Sequence, residues 1–304
     1  MSNPGQPAAP KDKSRSAVAA REHARQVKAE RLKRERRRRL LLTVGAPVLV
    51  VVLIIAGFIV VKVTRTSAVA TGSAATPAGT TLESALKNIP AATFDTVGAG
   101  TGVGAPTKVS GAALTADSKP RVLYIGAEFC PYCAGERWAV VAALSRFGTF
   151  SNLGVTTSAS ADIYPSTATL SFHSAAYAST LLSFTGVELT TNIPDKASSY
   201  GYQLLDTPTA TDQQTAKIYN PKGSIPCVDF GNKYVIAGAS YDVGILQGMT
   251  QTQIAAEMAQ PDSAVAQQVL GAANMMTAAL CTVTGNQPDA VCTSAAVTAV
   301  KLPS

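Results

Sequence analysis

Histidine is almost missing from this chain. Of 304 residues only His23 and His173 are histidine, and Cys130-Pro131-Tyr132-Cys133 is the single C-x-x-C. A structural zinc site takes four Cys or His ligands, commonly as two short-spaced pairs. The shortage makes half a zinc site a poor reading of the cysteine pair, and neither a metal nor a cofactor is expected. Charge is scarce too once the first 40 residues are set aside. Those hold 13 Lys/Arg against 4 Asp/Glu, a net +9, while the rest holds 13 against 15, a net −2. The formal +7 belongs to a tail, which argues against a nucleic-acid-binding body. No internal repeat is present. The glycines of Gly98 to Gly104 neither follow a strand nor open a helix, which excludes a dinucleotide fingerprint.

Charge is absent altogether from Leu40 to Val61. These 22 residues are long enough to cross a bilayer as a helix, and Pro47 and two glycines are tolerable there. Before them, residues 1–10 are Pro- and Ala-rich and read as disordered. Lys11 to Arg39 are good helix formers without an apolar face, a solvated helix or coil. Lys33, Arg34 and Arg36 to Arg39 precede the span, and only Lys62 and Arg65 follow it closely. The positive-inside rule then puts the N-terminus in the cytoplasm and the body outside. A cleaved signal peptide is the rival, with Ala68-Val69-Ala70 as its A-x-A site, but the apolar run and the preceding basic region are both long for one. The expected organisation is a basic cytoplasmic tail (1–39), a transmembrane helix (40–61), a flexible linker rich in Ala, Thr, Ser and Gly (62–80) and an extracytoplasmic α/β domain (81–304).

The body is organised around Cys130 and Cys133. Arg121 to Gly126 is a short apolar run that reads as a buried strand. From Ala134 to Phe147, Trp138, Val141 and Leu144 recur at helical spacing. The cysteines therefore sit where a strand turns into a helix, and Pro131 suits a first helical turn. A thiol there faces unpaired N–H groups and the positive end of the helix dipole, which favour its thiolate. One thiolate can attack a disulfide, and the other cysteine can resolve the mixed disulfide. A permanent structural disulfide is the plainer alternative.

Further along, Leu82 to Ile89 reads as a helix ended by Pro90, and Val109 to Leu114 as a short strand. Leu153 to Thr157, Ala168 to His173 and Leu181 to Leu189 read as strands. A short helix is expected over Thr211 to Tyr219, capped near Thr211. Ser224-Ile225-Pro226-Cys227 opens a hairpin that turns at Gly231-Asn232 and returns through Tyr234 to Ile236. Two helices follow, Thr250 to Met258 and Ser263 to Cys281.

This succession of elements resembles the thioredoxin superfamily, and Cys-Pro-Tyr-Cys resembles the glutaredoxin motif. A closer resemblance is to the bacterial domain of unknown function nine-two-nine. It is carried by Leu123 through Trp138, by Ser145-Arg146-Phe147-Gly148-Thr149-Phe150 and by Asp229-Phe230-Gly231-Asn232-Lys233-Tyr234, and it covers about residues 80–300. The superfamily resemblance implies a cis-proline turn at Pro226 beside the cysteines, with Ile225 offering backbone to a bound peptide. The separation from Cys133 to Pro226 is about twice what a minimal member needs, which implies a β-rich insertion near 160–205 as a partner or substrate surface. Cys227 stands where the family resemblance implies an apolar residue. It is either a third thiol near the site or a small buried hydrophobe.

Cys281 and Cys292 flank a turn-rich loop of ten residues. Outside the cytosol such a pair is expected to be a structural disulfide. Glu128 either opposes ionisation of Cys130, accepts a proton from Cys133, or is a surface carboxylate. Arg137 lies one turn past Cys133 and can stabilise a thiolate, though a solvated arginine is the safer reading. Trp138 reads as core and His173 as structural. Together these features describe a membrane-anchored thiol–disulfide oxidoreductase with the bilayer, envelope protein thiols or disulfides and a membrane redox partner as its contacts. The alternative is a non-catalytic envelope scaffold stapled at Cys130–Cys133.

Overall fold

The computed structural model describes residues 72–303. The basic tail, the expected span and most of the expected linker lie outside the described residues, and among the described residues no helix is long and apolar enough to cross a membrane.

The described chain begins with β1 (Thr76–Pro77), α1 (Gly79–Lys87) and α2 (Ala91–Val97). Pro90 ends the first helical run as its ring requires, and it also caps a second helix that the sequence reading omits. Short strands β2 (Thr107–Lys108) and β3 (Thr115–Ala116) flank residues 109–114, so the strand expected there is displaced to either side. Next come β4 (Lys119–Gly126), α3 (Pro131–Leu144), β5 (Thr149–Ser151), β6 (Gly154–Thr157), β7 (Ala168–Ser171), β8 (Ala176–Ala178), β9 (Ser183–Glu188), β10 (Thr190–Pro194) and β11 (Tyr202–Leu204). The last part holds α4 (Ala210–Tyr219), β12 (Cys227–Phe230), β13 (Tyr234–Ala237), α5 (Gln251–Met258), α6 (Gly271–Val283), α7 (Asp289–Cys292) and α8 (Ala295–Thr298). Thr209, not Thr211, caps α4 by accepting the Asp212 N–H. A π-helical turn over Ala266–Leu270 leads into α6, where Gly271 lets the backbone cross Gly100.

The central sheet runs β9–β4–β12–β13–β2, with β3 folded onto the start of β4. β4 pairs in parallel with β9, from Arg121 opposite Ser183 to Gly126 opposite Glu188. It pairs antiparallel with β12, which continues through a hairpin into β13. Val122 to Gly126 are buried because both sheet faces are covered, which is why the strand reads as a continuous apolar run. On one face lie α3 and α6. Every residue of α3 except Tyr132 is buried, including Glu136 and Arg137. Trp138 is core, with its indole N–H donating to the Ala168 carbonyl at 3.1 Å. On the other face a smaller cluster of Leu114, Leu123, Ile125, Val187, Cys227 and Val235 lies below α4. That helix buries only Asp212, tied to Arg121 of β4 at 2.8 Å.

The stretch 160–205 is β-rich, yet it is not one peripheral insertion. β9 at its middle occupies the parallel place in the central sheet. Outside the central sheet, β5 to β8 before it form two small side sheets, one of them with β1, and β10 and β11 form a hairpin after it. Parallel pairing joins residues far apart in sequence, so composition alone does not reveal it.

Candidate functional site

Cys130 is the N-cap of α3, with an extended backbone (φ −75°, ψ 121°) and Pro131 as the first helical residue. Its Sγ accepts the Cys133 N–H at 3.3 Å. This is the place a Ser or Asp takes at other helix starts, where a side-chain acceptor meets the unpaired N–H groups. On its other side the Cys130 thiol meets the Ile225 carbonyl at 3.8 Å. The Ile225–Pro226 peptide bond is cis and leads directly into β12. A cis-proline turn of the kind the superfamily resemblance implies thus lies beside Cys130.

The two thiols differ sharply. The hydrogen bond from the Cys133 thiol holds Cys130 below the ordinary thiol range, with help from the N–H groups of Cys133 and Tyr132 and the Arg137 charge, although burial opposes this. Burial pushes Cys133 well up, and the neighbouring Cys130 adds to it. Cys130 is 5% exposed and Cys133 fully buried. Tyr132 between them is 42% exposed, and its ring meets Tyr164 edge-on.

Arg137 corrects the solvated reading, for it is fully buried. Its Nε and Nη2 donate to Oε1 and Oε2 of Glu188 at 2.8 and 2.6 Å. Its Nη1 donates to Thr169 at 3.4 Å, and its guanidinium carbon lies 5.9 Å from the Tyr124 ring centre. Glu128 is also buried, which removes the surface-carboxylate reading. Its Oε1 accepts from Ser171 at 2.6 Å while Oε2 has no partner, and burial raises its pKa. The hydrogen bond goes to β7, not to either cysteine. His173, expected to be structural, pairs with Asp206 at 2.7 Å.

Cys227 lies on the sheet face away from α3, among Leu123, Ile125 and Val187. Burial pushes its thiol up to about 11. It behaves as a small buried hydrophobe, because β12 alternates sides and sends Val228 rather than Cys227 toward α3. A groove of about 700 Å³ opens on that face between α4 and the β10–β11 hairpin, bounded by Leu189, Leu204, Ala216 and Ile225. Cys281 and Cys292 form a disulfide that ties α6 to α7. Among the described residues there is no group of three or more His, Cys, Asp or Glu side chains able to hold a metal ion.

Sequence reasoning missed Glu188 and Glu136. Glu136 is fully buried on α3, accepts the N–H and hydroxyl of Ser240 at 2.8 and 2.6 Å, and burial raises its pKa to about 7. The available signal was a carboxylate at the end of the apolar stretch Leu181 to Leu189 and a second one inside the apolar helix. Charges at such places need partners.

No curated protein and no solved structure matches the chain. A match to the family described as Domain of unknown function (DUF929) runs over residues 105–282, from the segment before β2 into α6. It takes in both cysteines of the C-x-x-C, the Arg137–Glu188 pair and the Ile225–Pro226 turn, so by this span the chain belongs to the family Domain of unknown function (DUF929).

Proposed function

We propose that this is a thioredoxin-like thiol–disulfide oxidoreductase, held at the outer face of the cell membrane by residues 40–61 and acting on envelope proteins. The order strand, C-x-x-C helix, parallel strand, helix, cis-proline, antiparallel hairpin, helix supports the thioredoxin-like reading. The observation that carries the activity is the placement of the Cys130 sulfur. It sits on the first N–H groups of α3, which favour the thiolate, and beside a backbone carbonyl at Ile225.

In the exchange, the Cys130 thiolate attacks one sulfur of a substrate disulfide. The substrate S–S bond breaks and its other sulfur leaves as a thiolate. Cys133 gives its proton to that leaving thiolate and attacks the Cys130 sulfur. The substrate departs reduced by two electrons, as one thiol and one thiolate that takes its proton from water, and Cys130–Cys133 is left as a disulfide. The reverse sequence oxidises a substrate dithiol. Either direction requires a second redox partner to restore the pair, and a membrane-bound one suits the anchored placement. Ile225 and Pro226 would align the peptide that carries the reacting sulfur.

The test is trapping in cells. Cys133→Ala should accumulate mixed disulfides with envelope proteins, because the resolving thiol is gone, and Cys130→Ala should accumulate none. If neither variant traps anything, the pair is a structural staple and the scaffold reading replaces this one.

A further inference from the structure

Arg137, on the helix that carries Cys133, forms a fully buried ion pair with Glu188. Such pairs contribute little net stability, because desolvation cancels much of the attraction. The two ends of this one are held by different parts of the fold. Arg137 lies four residues past Cys133, on the same helix face, and helical side chains lean toward the N-terminus. Its Nη1 donates to the Thr169 hydroxyl, which donates in turn to the Ala134 carbonyl at 2.8 Å, in the first turn of α3. Glu188 is held from the opposite side. It ends β9, its Oε1 accepts the Phe172 N–H at 3.2 Å, and its own N–H donates to Asp206 at 3.0 Å. The positive end of the pair therefore points at the start of the helix that carries the thiols.

We propose that this oriented ion pair sets the thiolate stability of Cys130, with Arg137 and Glu188 as positioning residues that touch neither sulfur. Its consequence for redox poise rests on the oxidoreductase reading above. The groups around the pair leave the polarity intact. Glu128 is held toward its neutral form by burial, Asp206 is turned to His173, and Tyr124 is held neutral by burial. Arg137 favours the ionised form of both Cys130 and Cys133. A more stable thiolate stabilises the reduced pair, which makes its disulfide the stronger oxidant.

The test uses reduced full-length protein and the pH dependence of Cys130 alkylation, read peptide by peptide. Glu188→Gln keeps the shape and removes the countercharge, so the Cys130 midpoint should fall. Arg137→Gln removes the positive end, so it should rise. Each shift should be about one pH unit, or roughly tenfold in thiolate. Arg137→Lys should keep most of the wild-type value. Loosened packing would move both variants the same way, so opposite shifts identify the charge effect. Equal or absent shifts overturn it. Should Arg137→Gln fail to fold, Glu188→Gln alone decides, and a raised or unchanged midpoint is the contrary result. Since alkylation needs no substrate, opposite shifts without mixed-disulfide trapping would sustain this inference and sink the oxidoreductase reading, and trapping without shifts would do the reverse.

Discussion

Cys130 is the N-cap of the helix that carries Cys133: its sulfur accepts the Cys133 N–H at 3.3 Å. One contact thereby serves two purposes. It closes the first turn of α3 and offers hydrogen bonding to the charge that a nucleophile needs. Burial treats the partners unequally: it pushes Cys133 well up, so that thiol keeps its proton where Cys130 loses one more readily.

The cap has a measurable stability. Cys130→Ser keeps a side-chain acceptor and Cys130→Ala removes it. In reduced protein the serine variant should be the more stable by about 1 kcal/mol in urea unfolding. Equal midpoints would mean that the sulfur contributes nothing to the helix start.

Glu136 gives the fold a pH dependence. Burial raises its carboxyl from the ordinary 4.5 to about 7. The folded state therefore binds the proton more tightly than the unfolded chain. Its contribution is fully present below the unfolded value and is lost as pH rises through the folded one, roughly 3 kcal/mol in all. Glu136→Gln should flatten the stability profile between those values. A slope remaining at the acid end would come from Asp229, which burial raises to about 6, and from Glu128, which burial also raises. An unchanged profile in the variant would remove Glu136 as its source.

The Cys281–Cys292 disulfide closes a short loop. Peptide mapping without reduction should recover this pair, and replacing both cysteines by alanine should cost about 3 kcal/mol. A crosslink from Cys227 to either would contradict the structure.

The proposed topology, with residues 40–61 in the membrane and the basic cluster inside, predicts that on wall-stripped intact cells an impermeant protease digests the body and spares residues 1–39. Digestion of the tail alone would reverse the topology. A secreted product starting near Thr71 would favour the cleaved leader.

The strand and helix within Arg121 to Phe147 were legible in the sequence because the signals there are local: an apolar strand, a proline at the helix start and apolar spacing after it. The β12–β13 hairpin was legible for the same reason. Arg137 was not, since its partner Glu188 is 51 positions away on a strand whose place in the sheet depends on parallel pairing. Glu128 was misjudged for a related reason. Carboxylates are rarely buried, and its burial depends on β7 bringing Ser171 against it. Cys227 follows the cis-proline Pro226 in sequence, but the alternation of β12 sends it through the sheet.

The most direct test of the central claim is alkylation of the three free thiols in one reduced sample across pH, each followed by its own peptide. Cys130 should react first, with a midpoint below the ~8.5 of an ordinary cysteine. Cys133 and Cys227 should stay protected until the pH is far higher, as their raised values require. An ordinary or raised midpoint for Cys130, or one shared by all three thiols, would contradict the account.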